Sequence, residues 1–178
     1  MSELDDLLDD RIREIADWPV PGIVFRDITP LLADPRGIPA VSRAFRDALA
    51  ARGISGVDLV AGVEARGFVL GAPLAVELGV GFVPVRKEGK LPGDVHAESY
   101  ALEYGSATLE IQVDAVAAGH RVLLVDDVLA TGGTAAAAAA LLRSAGAEVV
   151  GFAVLLELAS LGGRSALGEL PVVALRTL

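Results

Sequence analysis

Asp126 and Asp127 stand side by side at the end of an apolar run, Val122-Leu123-Leu124-Val125. After Val128 and Leu129 come Ala130-Thr131-Gly132-Gly133-Thr134 and then a helix-forming run of alanines. This order suits a buried parallel strand that delivers acids and an anion cradle to one point. Free N–H groups at the start of the helix, together with its dipole, attract negative charge. Thr131 and Thr134 add hydroxyl donors, and Gly132 and Gly133 allow a positive φ and a close approach that a Cβ would block. Acids beside a phosphate cradle repel the ligand unless they hold sugar hydroxyls or a metal ion. The segment therefore predicts a sugar-phosphate site. No Gly-Lys-Ser/Thr follows the turn and three spaced glycines are missing, which excludes a Walker loop and a dinucleotide-binding turn.

Other charged groups could serve the same ligand. Glu64-Ala65-Arg66-Gly67 follows the apolar run ending at Val63 as the aspartates follow theirs, so Arg66 is placed to meet a second phosphate. Arg86, Lys87 and Lys90 open a long polar stretch. Alone they read as a solvated surface cluster; beside a sugar-phosphate loop they supply the cations that a pyrophosphate needs. Phe25, in the stretch 22–30, either stacks on a flat base or belongs to the core. His96 and His120 read as surface residues without chemistry.

These groups must be positioned by elements that the hydrophobic pattern outlines. Leu4, Leu7, Leu8, Ile12 and Ile15 share one helical face, with Ser2 as cap and the break Trp18-Pro19-Val20-Pro21-Gly22 as its end. A second helix is expected over about 38–51 with Gly53 as its stop, then a strand at 58–63, a helix at 67–78 that contains Pro73, and a strand at 81–86. The irregular stretch 87–106 reads as a lid or binding loop. Strands follow at 108–113, 121–126 and 148–157, and the tail 164–178 adds an edge strand at 172–175 but no functional motif. Alternating strands and helices predict an α/β fold, a mostly parallel sheet with helices on both faces, as one domain over residues 1–178. Ligands in such sheets bind beyond the carboxyl ends of the strands.

Composition narrows the partners. The 178 residues, 53% hydrophobic and 22% charged, are enough for a substantial core. A net charge of −9 argues against a nucleic-acid surface. The absence of cysteine removes disulfides, zinc-thiolate sites and thiol catalysis, and fits the cytoplasm. Residues 1–10 are acidic and unlike a signal peptide, and the weakly polar run 134–142 is too short to cross a bilayer. The expectation is a soluble cytoplasmic protein with no nucleic-acid or membrane partner.

The strand, acid pair and Ala-Thr-Gly-Gly-Thr loop resemble the phosphoribosyl-pyrophosphate signature of the type I phosphoribosyltransferases. Pro21-Gly-Ile-Val-Phe-Arg-Asp27, Glu64-Ala-Arg-Gly-Phe68, Val85-Arg-Lys-Glu-Gly-Lys-Leu-Pro92 and Leu102-Glu-Tyr-Gly105 resemble the adenine-specific branch of that family, in order and spacing, over about residues 11–163. The resemblance implies the type I fold with a small N-terminal hood of about residues 1–35 that contributes the base pocket. It further implies a homodimer that joins adenine to phosphoribosyl pyrophosphate with Mg²⁺, giving AMP and pyrophosphate. On that pattern Ala130, Thr131, Gly132, Gly133 and Thr134 hold the 5′-phosphate. Asp126 and Asp127 bind the ribose hydroxyls, directly or through metal and water. Arg66, Lys87 and Lys90 meet pyrophosphate, and Arg86 reaches the neighbouring subunit's site. Phe25 stacks on adenine, the backbone of Val24 and Arg26 reads its edge, and Leu158 covers the other face. Glu103 matches the catalytic glutamate and Tyr104 its neighbouring loop tyrosine; a carboxylate on a closing lid can manage a purine proton and exclude water.

Two rivals follow from the same residues. A phosphoribosyltransferase for an oxo-purine differs by a few hydrogen bonds at the base edge. A ligand-sensing regulator needs a DNA-binding domain, and the short acidic segment before Trp18 is too small and wrongly charged to make one.

Overall fold

Leu7 and Leu8, adjacent on one face of α1 (Glu3–Arg11), bury themselves and start one half of the core. The helix ends at Arg11 rather than continuing to Ile15. Arg13–Ala16 instead forms strand β1, antiparallel to β2 (Val24–Asp27), with Ile15 opposite Phe25 and Arg13 opposite Asp27. The pairing is fastened by Asp27, whose carboxylate accepts two hydrogen bonds from Arg13 (3.2 and 2.5 Å) and one from the Thr29 N–H (2.8 Å). A one-face helical pattern could not register these cross-strand bonds. The computed structural model describes residues 3–101 and 106–178, so Ser2, expected to cap α1, lies outside the described residues.

The Thr29 hydrogen bonds, with help from Arg13, hold the Asp27 carboxyl down at about 2. A depressed acid stabilises the fold above its ordinary value near 3.8, and that contribution fades as pH falls toward about 2. Asp27→Asn should therefore lower stability at pH 7 by about 1–2 kcal/mol, the worth of charge-assisted hydrogen bonds. It should also flatten the acid limb, which urea melts between pH 2 and 7 would read. An unchanged acid limb would remove Asp27 as the fastener.

Next come α2 (Thr29–Ala33), α3 (Gly37–Ala51), β3 (Leu59–Val63), α4 (Arg66–Leu78), β4 (Gly81–Lys87), β5 (Val95–Ala101) and β6 (Ser106–Gln112). The chain closes with β7 (Arg121–Leu129), α5 (Gly133–Ser144), β8 (Glu148–Glu157) and β9 (Val172–Thr177). Seven strands form one sheet in the order β5-β6-β4-β3-β7-β8-β9. The neighbours from β4 to β9 run parallel, while β6 is antiparallel to β4 and β5 to β6. The mixed α/β architecture with a mostly parallel sheet matches the expectation, and β9 is its edge strand. Alanines of α5 share one half of the core with Val63, Val85, Ile111 and Leu124, whereas α1, α3 and α4 build the other through Leu8, Phe45, Leu70 and Leu74.

The stretch 87–106 is not irregular throughout. Residues 95–101 form β5, which pairs along its whole length with β6. The polar alternation of Val95-His96-Ala97-Glu98-Ser99-Tyr100 suits an edge strand that keeps one face in water. His96 consequently lies opposite Ile111 and is partly buried, not an exposed loop residue. His120 accepts a hydrogen bond from the Ala117 N–H at Nδ1 (3.1 Å) and shapes the turn before β7. Among the described residues no helix is long and apolar enough to cross a membrane.

Candidate active site

Strand β7 runs to Leu129, so Asp126 and Asp127 lie inside it rather than beyond its end. Pairing with β8 continues through Asp126 opposite Val154 and Val128 opposite Leu156, which explains the longer strand. The Asp127 N–H donates to Asp126 Oδ1 (2.8 Å). Gly67 lets the first turn of α4 close on this point: a Cβ there would lie 2.7 Å from the Val125 carbonyl oxygen and 3.2 Å from Asp126 Oδ1. That approach brings Arg66, the first residue of α4, to Asp127, with Nε 2.6 Å from Oδ2. The geometry is a charge contact and not a hydrogen bond, and the buried Asp127 Oδ2 is left without a hydrogen-bond partner.

Burial pushes both carboxyls up. Asp126 goes well above its ordinary value because it is buried and faces the Asp127 charge. Burial raises Asp127 against the opposing pull of the Arg66 charge. Two carboxyls are thus held side by side, with the buried Asp127 Oδ2 in charge contact with Arg66 but without a hydrogen bond, an arrangement suited to sugar hydroxyls or a cation.

Two cavities share this acid pair. One, of about 250 Å³, is lined by residues 126–135 and Arg66. The other, of about 480 Å³, adds Val63, Glu64, Ala65, Lys87 and Tyr100 to Arg66, Asp126, Asp127 and Thr134. In the first, Gly132 takes φ +86° and α5 begins at Gly133, so the loop turns directly into a helix N-terminus. Gly133 does not need the positive φ expected of both glycines. Thr134 Oγ1 shares a hydrogen bond with the Tyr100 hydroxyl (3.2 Å), which ties the β5 edge strand to the loop.

Glu64 organises the cationic side. Its carboxylate accepts bonds from Arg86 Nε (3.2 Å), the Lys87 N–H (3.1 Å) and Lys90 Nζ (3.0 Å). Burial alone would raise Glu64, but Lys90, the Lys87 N–H and Arg86 outweigh it and hold the carboxyl below its ordinary value. Sequence reading placed Glu64 in a motif without a role, because its partners lie more than twenty residues away. Arg86 also donates to the Lys90 carbonyl (3.1 Å), so within one chain it is engaged at its own site.

The comparisons with known proteins agree with this geometry. A family model described as "Phosphoribosyl transferase domain" matches residues 30–166. An adenine phosphoribosyltransferase of Frankia casuarinae is 58% identical over 173 residues, covering 97% of this chain and 90% of the relative. The chain belongs to the adenine phosphoribosyltransferase family. The crystal structure of adenine phosphoribosyltransferase from Thermoanaerobacter pseudethanolicus superposes with a TM-score of 0.93 at 47% identity, covering 98% of this chain and 99% of that one. That of the Saccharomyces cerevisiae adenine phosphoribosyltransferase, complexed with an imino-altritol 1,6-bisphosphate and adenine, gives 0.93 at 40% identity, covering 99% and 100%. The type I phosphoribosyltransferase fold expected from sequence is thereby established.

Of the residues expected from the adenine phosphoribosyltransferase pattern, Arg66, Lys87, Asp126, Asp127 and 130–134 meet around the two cavities. Arg86 and Lys90 join them through Glu64. Phe25 lines neither cavity but is tied to them by the Arg66 guanidinium, 5.1 Å from its ring centroid. Trp18 meets the same ring edge-on at 4.3 Å. Val24 is exposed on β2, and the Arg26 side chain pairs with Glu14 and lines a separate cavity. Leu158 leaves β8 and donates its N–H to the Leu129 carbonyl (2.9 Å), beside the end of the acid-bearing strand. Glu103 and Tyr104 lie outside the described residues. Tyr100, which lines the larger cavity, carried no sequence signal, because the stretch around it read as irregular.

Proposed function

We infer that this site transfers the 5-phosphoribosyl group of phosphoribosyl pyrophosphate to adenine, giving AMP and pyrophosphate in purine salvage. The single observation that carries the reading is the juxtaposition of the acid pair with the Ala130–Thr134 turn at the start of α5, with Arg66 lining both cavities and Lys87 the larger. Loop N–H groups and the hydroxyls of Thr131 and Thr134 bind the 5′-phosphate. Asp126 and Asp127 bind the ribose hydroxyls and stabilise the positive charge that develops on the ring as pyrophosphate departs. Arg66, Arg86, Lys87 and Lys90 receive the pyrophosphate charge. For that the cations must exchange carboxylate partners, Glu64 and Asp127, for phosphate oxygens. Phe25 stacks on adenine once Arg66 is drawn to pyrophosphate, the backbone of Val24 and Arg26 reads the base edge, and Leu158 covers its other face.

The acid pair fits Mg²⁺. Asp127 Oδ2 is buried without a hydrogen-bond partner, and the raised carboxyls gain from a nearby cation. Among the described residues no three acidic or histidine groups gather, so of these Asp126 and Asp127 would hold the ion, directly or through water, with substrate oxygens supplying the rest. Bound Mg²⁺ would neutralise charge on the pyrophosphate as it leaves.

Glu103 handles the purine proton, and Tyr104 is its neighbour in the chain. Glu103→Gln should reduce kcat about 10²-fold, the usual range for a lost general acid or base; full turnover with adenine would end that role. The N-terminal hood and the sheet act as one domain, in a cytoplasmic homodimer without nucleic-acid or membrane partners. The cysteine-free sequence, its charge of −9 and the Arg86 resemblance support this.

The deciding experiment is turnover of adenine with phosphoribosyl pyrophosphate and Mg²⁺, with hypoxanthine, guanine and xanthine in parallel. AMP formed from adenine alone is expected. Turnover of an oxo-purine would overturn the base assignment, and tight binding without turnover would favour a regulator.

A further inference from the structure

We propose that Arg164 is a positioning residue for the 5′-phosphate loop, acting through buried Glu157 and the 3₁₀ turn Gly163–Leu167. The inference rests on the reading of residues 130–134 as the 5′-phosphate cradle and adds to it the part that holds the cradle still. Gly132 is in the left-handed region at φ +86°, and the atoms crowding it are the Gly163 carbonyl group and Ala166 Cβ of the 3₁₀ turn. A Cβ at Gly132 would lie 2.3 Å from the Gly163 carbonyl oxygen, and one at Gly163 would lie 2.2 Å from the Ala130 carbonyl oxygen. The two backbones are therefore interlocked through a pair of glycines. Wherever the turn sits, the loop must follow.

Arg164, next to Gly163, decides where the turn sits. Its Nε and one terminal nitrogen donate to the two oxygens of Glu157 at 2.5 and 2.7 Å, and its other terminal nitrogen reaches the Val172 carbonyl at 3.4 Å. Glu157 is buried at the end of β8, also accepts from Thr177 Oγ1 (3.4 Å), and is held below its ordinary value chiefly by Arg164. A two-pronged planar fork on a buried carboxylate defines an angle as well as a distance, which an exposed ion pair does not. The turn is thereby keyed to β8 and β9, and through its glycine to the loop that opens α5.

Arg164→Lys keeps the charge on Glu157 but removes the fork. The variant should lose about tenfold of the preference for AMP over adenosine, about 1.4 kcal/mol, as measured by titration calorimetry. The KM for phosphoribosyl pyrophosphate should rise by about the same factor, with kcat and the KM for adenine within about twofold. If Arg164→Lys fails to fold, Arg164→Met with Glu157→Gln leaves no unpaired buried charge and serves in its place. Equal weakening of AMP and adenosine would mean a general structural role and overturn the inference, as would an undiminished preference for AMP. A wild-type protein that binds AMP no better than adenosine would instead overturn the cradle reading, and this inference with it.

Discussion

Replacing both carboxylates, Asp126→Asn with Asp127→Asn, should lower kcat/KM by about 10³-fold or more while leaving the melting temperature unchanged or higher. The opposite signs follow from the same geometry. Burial raises both acids, and the Asp127 charge raises Asp126 further, so their ionised forms, which the proposed reaction uses, are the ones the fold disfavours. An acid raised in the folded state lends stability below its ordinary value near 3.8 and loses it as pH climbs through the raised value. Wild-type stability should therefore decline from acid toward neutral pH at this pair, and the double variant should lack that decline. Amides of the same size keep the packing, and Arg66, whose side chain is about two-fifths exposed, remains hydrated without Asp127. Steady-state kinetics and thermal melts over pH 4–8 check both halves. Unchanged turnover would remove the pair from the mechanism, and a large fall in melting temperature would make it a structural pair.

Gly132→Ala should raise the KM for phosphoribosyl pyrophosphate by about 10²-fold, the loss of two charge-assisted hydrogen bonds, and lower the melting temperature by several degrees. A left-handed conformation costs an alanine about 1–2 kcal/mol. The larger effect is steric, because the new Cβ would meet the Gly163 carbonyl at 2.3 Å and Ala166 Cβ at 2.9 Å, and the former is backbone that cannot swing aside. Gly133→Ala is the contrast. Its Cβ meets only Tyr100 Cδ2 at 4.0 Å, at the first residue of α5, where alanine favours a helix, so its melting temperature should hold. Equal effects from the two substitutions would mean that the loop is not braced by the 3₁₀ turn.

The contrast between these glycines shows how far the linear sequence reaches. Gly-Gly after an acid pair predicted a cradle because the needed groups lie within nine residues, 126–134, and the elements on either side have strong periodicity. Which glycine carries the positive φ depends on what packs behind the loop, and that is residue 163. Likewise Ile15 continued a helical pattern, but Arg13 found Asp27 fourteen residues on and the chain became a strand. Residues 95–101 looked irregular because an edge strand shows no apolar face of its own.

By itself the sequence determined the alternation of strands and helices, the acid pair, the Gly-Gly turn and the cations, since each is written in short-range pattern and side-chain chemistry. Only the tertiary structure decided which of them meet. It drew Arg66 onto Asp127, gave Glu64 its three donors from β4 and the segment after it, and locked Glu157 with Arg164 behind the loop. The physical reason is that hydrogen bonds and close backbone approach act over a few ångströms of space, whatever the separation along the chain.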